Sequence, residues 1–346
     1  MGRSLRYGYA LFFGLLIGGC GGPSSEGVVA PVVVTDKVPH DSDDPAIWIN
    51  PLDSTDVLIL GTDKGGRIAE GGLYAFNLEG KVVKSITPLQ RPNNVDVGYV
   101  TPPDGRPTGL AVCTERDLHQ LRVFRLPDLS PLDNGGIPLF EGETQRDPMG
   151  VALYTDPNTG TMYAIVGRKD GPKTGYLWQY ELVMDSTGLF TAKLVRRFGT
   201  FSGKKEIESI AVDNELGYVY YSDEGAGVHK YYAHPDSSDR ELALFATEGF
   251  AGDHEGISLY KHPDGTGFIL VSNQQDDSFH FYPREGTPQS PHDHPFLKAV
   301  TLSTVESDGS EVTSRALPGY PKGLFVAMTN GGTFQYYRWE DLASHK

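Results

Sequence analysis

The chain has 346 residues, 38% of them hydrophobic, with 42 Gly and 24 Pro, enough apolar content for a large core and too many breakers for long helices. Its formal net charge is −15. No basic stripe interrupts that acidity, so non-specific nucleic-acid binding, which works by displacing counterions from phosphates, is excluded.

At the start of the chain, Arg3 and Arg6 make a basic opening, Leu11 to Ile17 form an apolar run too short to span a bilayer, and Gly18-Gly19-Cys20 is a small-residue cleavage site. The pentapeptide Leu16-Ile17-Gly18-Gly19-Cys20 resembles a bacterial lipoprotein signal, in which the cysteine becomes the lipidated first residue. The expectation is export, with Cys20 anchoring the protein to the cell envelope at the outer membrane or its periplasmic face, or secretion if the leader is an ordinary one. The Gly- and Ser-rich stretch that follows reads as a tether. After the leader only Cys113 accompanies Cys20, so no disulfide is available and burial of Cys113 is expected.

Six short apolar strands then open beside a polar or acidic group. They begin at Asp43-Asp44-Pro45, Asn93-Asn94-Val95-Asp96, Asp147-Pro148-Met149, Glu208-Ser209-Ile210, Asp253-His254-Glu255-Gly256 and, more weakly, Tyr320-Pro321-Lys322-Gly323-Leu324. Each is followed by a strand closing on a polar triplet: Thr62-Asp63-Lys64, Thr114-Glu115-Arg116, Gly167-Arg168-Lys169, Ser222-Asp223-Glu224, Ser272-Asn273-Gln274 and Met328-Thr329-Asn330. A third run in each unit, such as Gly72 to Leu78 or Gln120 to Leu126, alternates with period two. Fourth strands are expected at Val82 to Ile86 and Leu194 to Phe198. Six units of about 50 residues, each with four strands, predict an all-β fold, a six-bladed β-propeller. Residues 1–19 are read as the leader, 20–38 as the tether and 39–346 as the propeller. Val28 to Val34 is expected to add a strand to the last blade and cover an exposed edge. Arg284 to Pro295, including His292-Asp293-His294, reads as a solvated surface loop. Trp48, Trp178 and Trp339 read as core.

Antiparallel neighbours bring the start of one strand and the end of the next to one rim. That rim is expected to carry Asp43, Asp44, Asp96, Glu208, Asp223, Glu224, Asp253 and Glu255 beside Lys64, Arg116, Arg168 and Lys169. Such acids satisfy turn amides, or supply the six to eight oxygens that Ca²⁺ takes. The bases meet phosphate oxygens, and metal and phosphate combine naturally on an acidic protein. The chain lacks a Gly-rich phosphate loop, Cys–His zinc spacing and a Gly-x-Ser-x-Gly turn. No Arg-His-Gly run occurs, and no arginine lies six residues after Cys113, which argues against histidine-type and phosphocysteine phosphatases.

On Asp43-Asp44-Pro45-Ala46-Ile47-Trp48, Asn93-Asn94-Val95-Asp96-Val97, Asp253-His254-Glu255-Gly256 and Pro321-Lys322-Gly323-Leu324-Phe325-Val326, the chain resembles the β-propeller phytases, across nearly all of its length. The resemblance implies six blades, a requirement for several Ca²⁺ ions, and hydrolysis of phosphate monoesters of myo-inositol hexakisphosphate and lower inositol phosphates by direct water attack. It implies a substrate grip at Lys64, Arg116 and Lys169, and catalytic-centre positions at Glu208, Glu224 and Glu255. Metal positions follow at Asp44, Asp96, Glu208, Glu224, Asp253, Glu255, Gln274 and Asp308. A monomer is expected, with a small-molecule substrate, no nucleic acid, and a membrane only through the lipid at Cys20. This chain departs from the family pattern at Glu115, which adds a carboxylate beside Arg116, at Met149 in place of an aromatic, at Ser209 in place of a glycine, and at Met328-Thr329-Asn330-Gly331-Gly332. Two rival readings stand beside it. One is a metal-dependent lactonase-type hydrolase, which needs few bases; the other is a non-catalytic propeller that binds an anionic ligand or partner.

Overall fold

A computed structural model describes residues 1–2, 27–66, 70–102 and 105–345; the expected leader, Cys20 and most of the Gly/Ser-rich tether lie outside the described residues. Six antiparallel sheets follow one another along the chain. Blade one is Ser42–Ile49, Val57–Asp63, Gly71–Phe76 and Val82–Leu89, a meander of four strands. Blade two is Pro92–Val100, Thr108–Glu115 and Gln120–Leu126, its outer place shared by Ser130–Pro131 and Ile137–Pro138. Blade three is Pro148–Thr155, Met162–Arg168, Thr174–Met184 and Phe190–Thr200, and blade four Ile210–Asp213, Tyr218–Asp223, Gly227–Tyr232 and Ala243–Phe245. Blade five is His254–Lys261, Gly267–Asn273, Ser278–Pro283 and Lys298–Leu302, and blade six Ser310–Thr313, Leu324–Thr329 and Thr333–Arg338. A short helix, Trp339–Ser344, ends the described chain.

The blades form a ring because the second strand of each blade is buried on both faces and each face packs on a different neighbour. Hydrophobic clusters fill the junctions one by one. Trp48, Leu60 and Leu73 of blade one meet Val95, Ala111 and Phe124 of blade two. The last junction closes the circle, with Ile59 and Phe76 of blade one against Val326, Phe334 and Tyr336 of blade six. Val33–Val34 then pairs antiparallel with Thr333–Arg338 and supplies the missing fourth strand of blade six. Val28–Val29 adds parallel to the outer strand of blade five. The expected extra strand therefore divides between the last two blades, and the ring begins at Val28, inside the segment read as tether.

Two expectations are corrected. The inner strand of blade six is Ser310–Thr313, not the Tyr320 run; Leu317 to Gly323 is a turn, and Leu324 opens the second strand. The sixth inner strand has only four residues, Ser-Glu-Val-Thr, with no apolar run to betray it. The 284–295 loop lies at the surface as expected, with Asp293 and Pro295 exposed, but it is anchored at Arg284 and at His294, which is not solvated. Arg284 pairs with Asp213 at 2.5 Å, and buried His294 lies 3.1 Å from buried Lys230. Trp339 is buried as expected, but starts the helix and stacks on Tyr260. Trp48, Trp178 and Cys113 are buried as expected.

Candidate active site

The rim chemistry starts from an irregularity in the inner strands. In blades one, two, three and five the register shifts by one residue at the opening, so that two residues face one on the next strand. Asp43 and Asp44 share Thr62, Asn93 and Asn94 share Thr114, and Glu255 and Gly256 share Ser272. Such a bulge turns consecutive side chains in different directions. Asp43 goes to the rim, where it accepts from Lys64 at 2.9 Å, while Asp44 goes into the central channel and accepts from the Val95 amide of blade two at 3.0 Å. Asp96 does the same one blade on, accepting from the Leu153 amide at 2.7 Å. These two expected metal positions thus lie down the channel, with Glu311, and not on the rim. Burial raises all three carboxyls, Asp96 to about 6 and Glu311 to about 8.

The closing triplets hold neighbouring blades in place. Thr114 Oγ1 donates to the Met149 carbonyl at 2.7 Å, Ser222 Oγ to Glu255 at 2.7 Å, and Ser272 Oγ to Ser307 at 2.8 Å. Each bond crosses from one blade to the opening of the next. Glu255 is therefore positioned by blade four as well as by its own strand. At Gly150, a Cβ would stand 2.0 Å from the Glu208 carbonyl, so only glycine lets blade four approach blade three this closely.

Two acidic groupings share Glu224. Oxygens of Glu206, Glu208 and Glu224 lie within 4.8 Å of one another, and so do those of Glu224, Asp253 and Glu255. Glu208, Glu224 and Glu255 are buried, and Glu224 Oε1 and Glu255 Oε2 have no hydrogen-bond partner. Burial, reinforced by neighbouring carboxylates, pushes Glu208 up to about 8, Glu224 up to about 9 and Glu255 well above its usual range. A buried carboxylate without a partner is costly, and several together are costlier. A hard cation taking oxygen ligands removes both penalties, so these residues fit a divalent metal.

Bases stand on either side. Lys64 bridges Asp43 at 2.9 Å and Asp308 at 3.0 Å, and Gln274 donates to Asp308 at 2.5 Å. Burial would lower Lys64, but Asp43, Glu208 and Asp308 outweigh it and hold the ammonium charged. Burial raises Asp308 to about 6 although Lys64 opposes it. Asn93 ties the two sides together, donating to Asp43 at 3.1 Å and Glu208 at 3.2 Å. Arg116 rests one guanidinium nitrogen on the Met149 sulfur, and its Nε has no partner. A thioether is a weak acceptor, so the guanidinium keeps capacity for an anion. Lys169 pairs with Glu206 at 2.8 Å.

Glu208, Glu224, Asp253 and Glu255 are brought together, while Lys64, Gln274 and Asp308 form an adjoining group linked through Asn93. Besides Asp44 and Asp96, three expected rim neighbours turn away, among them Asp223, which is buried and accepts from the Ser202 amide and hydroxyl. Glu115 is buried, accepting from the Gln90 amide at 2.5 Å and Gln120 at 2.6 Å, so it does not oppose Arg116. Arg168 is enclosed by Phe140, Tyr176 and Trp178. Sequence reasoning missed Glu206 and Lys205, whose ammonium bonds Asp253. The signal available was the Lys204-Lys205-Glu206 run just before Glu208.

The family described as Phytase matches residues 25–336. The chain is 28% identical over 321 residues to the 3-phytase of Bacillus subtilis (strain 168), covering 88% of this chain and 81% of that protein. Among solved structures it is similar to the Dos1 propeller, at 12% identity and a TM-score of 0.44, covering 86% of this chain and 67% of that one. The family match runs through all six blades and both acidic groupings, and the chain belongs to the phytase family of phosphoric monoester hydrolases.

Proposed function

We propose that the protein removes phosphate from myo-inositol hexakisphosphate and lower inositol phosphates at this rim, with Ca²⁺ as the metal. The observation that carries the proposal is Glu224, shared by two groups of carboxylates of which only Glu206 is partly exposed, with Lys169 on Glu206 and Lys64 held by Asp43 and Asp308 next to Glu208. Glu208, Glu224, Asp253 and Glu255 would hold metal, with Glu206 at the edge. Bound there, it supplies positive charge that offsets repulsion between phosphate and carboxylates and polarises the P–O bond.

The chain's own side chains do the rest. Lys64, fixed by Asp43 and Asp308, offers a rigid ammonium to a phosphate oxygen, and Arg116 offers its unpartnered guanidinium edge. A water oxygen forms the new bond to phosphorus while the ester P–O bond breaks and the inositol oxygen takes a proton. An oxygen of Glu224 or Glu255 not taken by metal would accept a hydrogen bond from the attacking water and orient it. Three bases around one rim suit a polyphosphate better than a lactone.

Export and attachment through Cys20 to the bacterial envelope belong to the same proposal, supported by the leader-like first 20 residues, as does a monomeric state. With Cys20→Ser, activity should leave the membrane fraction. The chemical proposal is tested by phosphate release from phytate in Lys64→Met and Glu255→Gln proteins that keep their circular dichroism. Loss of about 10²-fold or more in each is expected, as for removing a group that touches the reacting phosphate; rates within about 3-fold of the parent in both would sink it.

A further inference from the structure

The loop between blades three and four is pinned in backbone around one half-exposed side chain. Ser202 donates from both its amide and its hydroxyl to Asp223, each at 2.6 Å, the Lys204 ammonium donates to the Gly225 carbonyl at 2.6 Å, and the Glu224 amide donates to the Glu206 carbonyl at 3.1 Å. Lys205 lies between these pins. Its side chain is 51% exposed and its ammonium bonds Asp253, on the carboxylate grouping that fits metal. The other Asp253 oxygen accepts from Gln275 at 2.9 Å. Beside Lys205 opens a basin of about 680 Å³ whose wall also carries Arg146, Lys169 and Glu224. Arg146 is tied to the Leu139 carbonyl at 2.7 Å and Lys169 to Glu206 at 2.8 Å.

An ammonium and a divalent cation compete for the Asp253 carboxylate, because two positive charges repel at contact distance. The flexible four-carbon stem lets the ammonium move while the backbone stays. We propose that Lys205 exchanges partners with metal occupancy. It is the counter-ion of Asp253 in the metal-free protein; once metal takes that carboxylate, it turns into the basin and holds, with Lys169, a second anionic group of the substrate. The inference rests on the phosphatase reading above and adds to it a metal-controlled grip found on a side chain outside the acidic groupings. Metal then governs affinity for polyanions as well as chemistry.

Calorimetric titrations of the full-length protein test this without turnover. Calcium is titrated into the parent, Lys205→Met and Lys205→Arg, and each calcium-loaded protein then receives myo-inositol hexasulfate, a non-hydrolysable polyanion. Loss of one competing ion pair and one charge-assisted contact predicts that Lys205→Met binds calcium about 3-fold tighter and hexasulfate about 10-fold weaker, with Lys205→Arg within about 3-fold of the parent for hexasulfate. Unchanged or weaker calcium binding in Lys205→Met, or unchanged hexasulfate binding, overturns the exchange. So does a parent that binds neither. A parent that binds both as expected yet releases no phosphate from phytate leaves the exchange standing and overturns the phosphatase reading instead.

Discussion

Glu255 has one carboxylate oxygen without a hydrogen-bond partner, buried within reach of Glu224 and Asp253. Glu255→Gln keeps the shape and removes a carboxyl whose ionisation burial and neighbouring carboxylates disfavour. In chelator it should therefore raise the melting temperature, by an amount corresponding to about 1 kcal/mol, while abolishing the extra stability that calcium is expected to confer on the parent. Differential scanning calorimetry with and without calcium reads both effects. The same residues fix a pH dependence. Glu208 and Glu224 titrate near 8 and 9 in the folded protein, against about 4.3 for an unfolded glutamate. Folded protein thus binds more protons than unfolded protein between those values, and metal-free stability falls as pH rises from about 4.5 to about 9. Metal binds the deprotonated carboxylates, so calcium should flatten that fall; a metal-free melting temperature that rises across this range would contradict the assignment. At this scale the sequence was readable where a charged residue sits beside a strand, as at Glu208, Glu224 and Glu255. It was unreadable where packing decides direction: Arg168 turns inward among aromatic rings, Glu115 toward Gln90 and Gln120, and Lys205 depends on a Ser202–Asp223 contact between separate segments.

The strand ends explain why each second strand closes on polar residues. A hydroxyl there crosses to the next blade, as Ser222 does to Glu255. Ser222→Ala should cost about 1 kcal/mol, the usual worth of a buried hydrogen bond. Because the lost bond holds Glu255, calcium affinity should also drop, by about 3-fold for roughly 0.7 kcal/mol of lost positioning. A chemical-denaturation curve and a calcium titration on one sample check the pair, and an unchanged calcium affinity would show that blade four does not position Glu255. The six closings were legible because a polar triplet ends an apolar run, and the third strands because they alternate with period two. The sixth opening was not. Ser310–Thr313 is short and polar, and its identity comes from pairing with Leu324–Thr329 rather than from any pattern of its own.

The ring is closed by residues far apart in sequence. Val33–Val34 pairs with Thr333–Arg338, and the Thr35 hydroxyl accepts from the Phe334 amide at 2.9 Å. Removing residues 1–27 should leave the melting temperature within about 2 °C, whereas removal through residue 36 exposes the last blade's edge and should lower it by roughly 10 °C. Equal losses in the two truncations would place the closure elsewhere. The fold was legible at this scale because a repeat of about 50 residues is a property of the whole sequence, while the division of Val28 to Val34 between two blades depends on where two edges happen to stand.

One measurement tests the central claim most directly. Phosphate release from phytate is followed on a single preparation as purified, after removal of metal by chelator, and after return of Ca²⁺. The carboxylates around Glu224 predict release that falls to background without metal and recovers with calcium, while circular dichroism remains that of a folded β protein. Undiminished release from folded, metal-free protein would contradict the account.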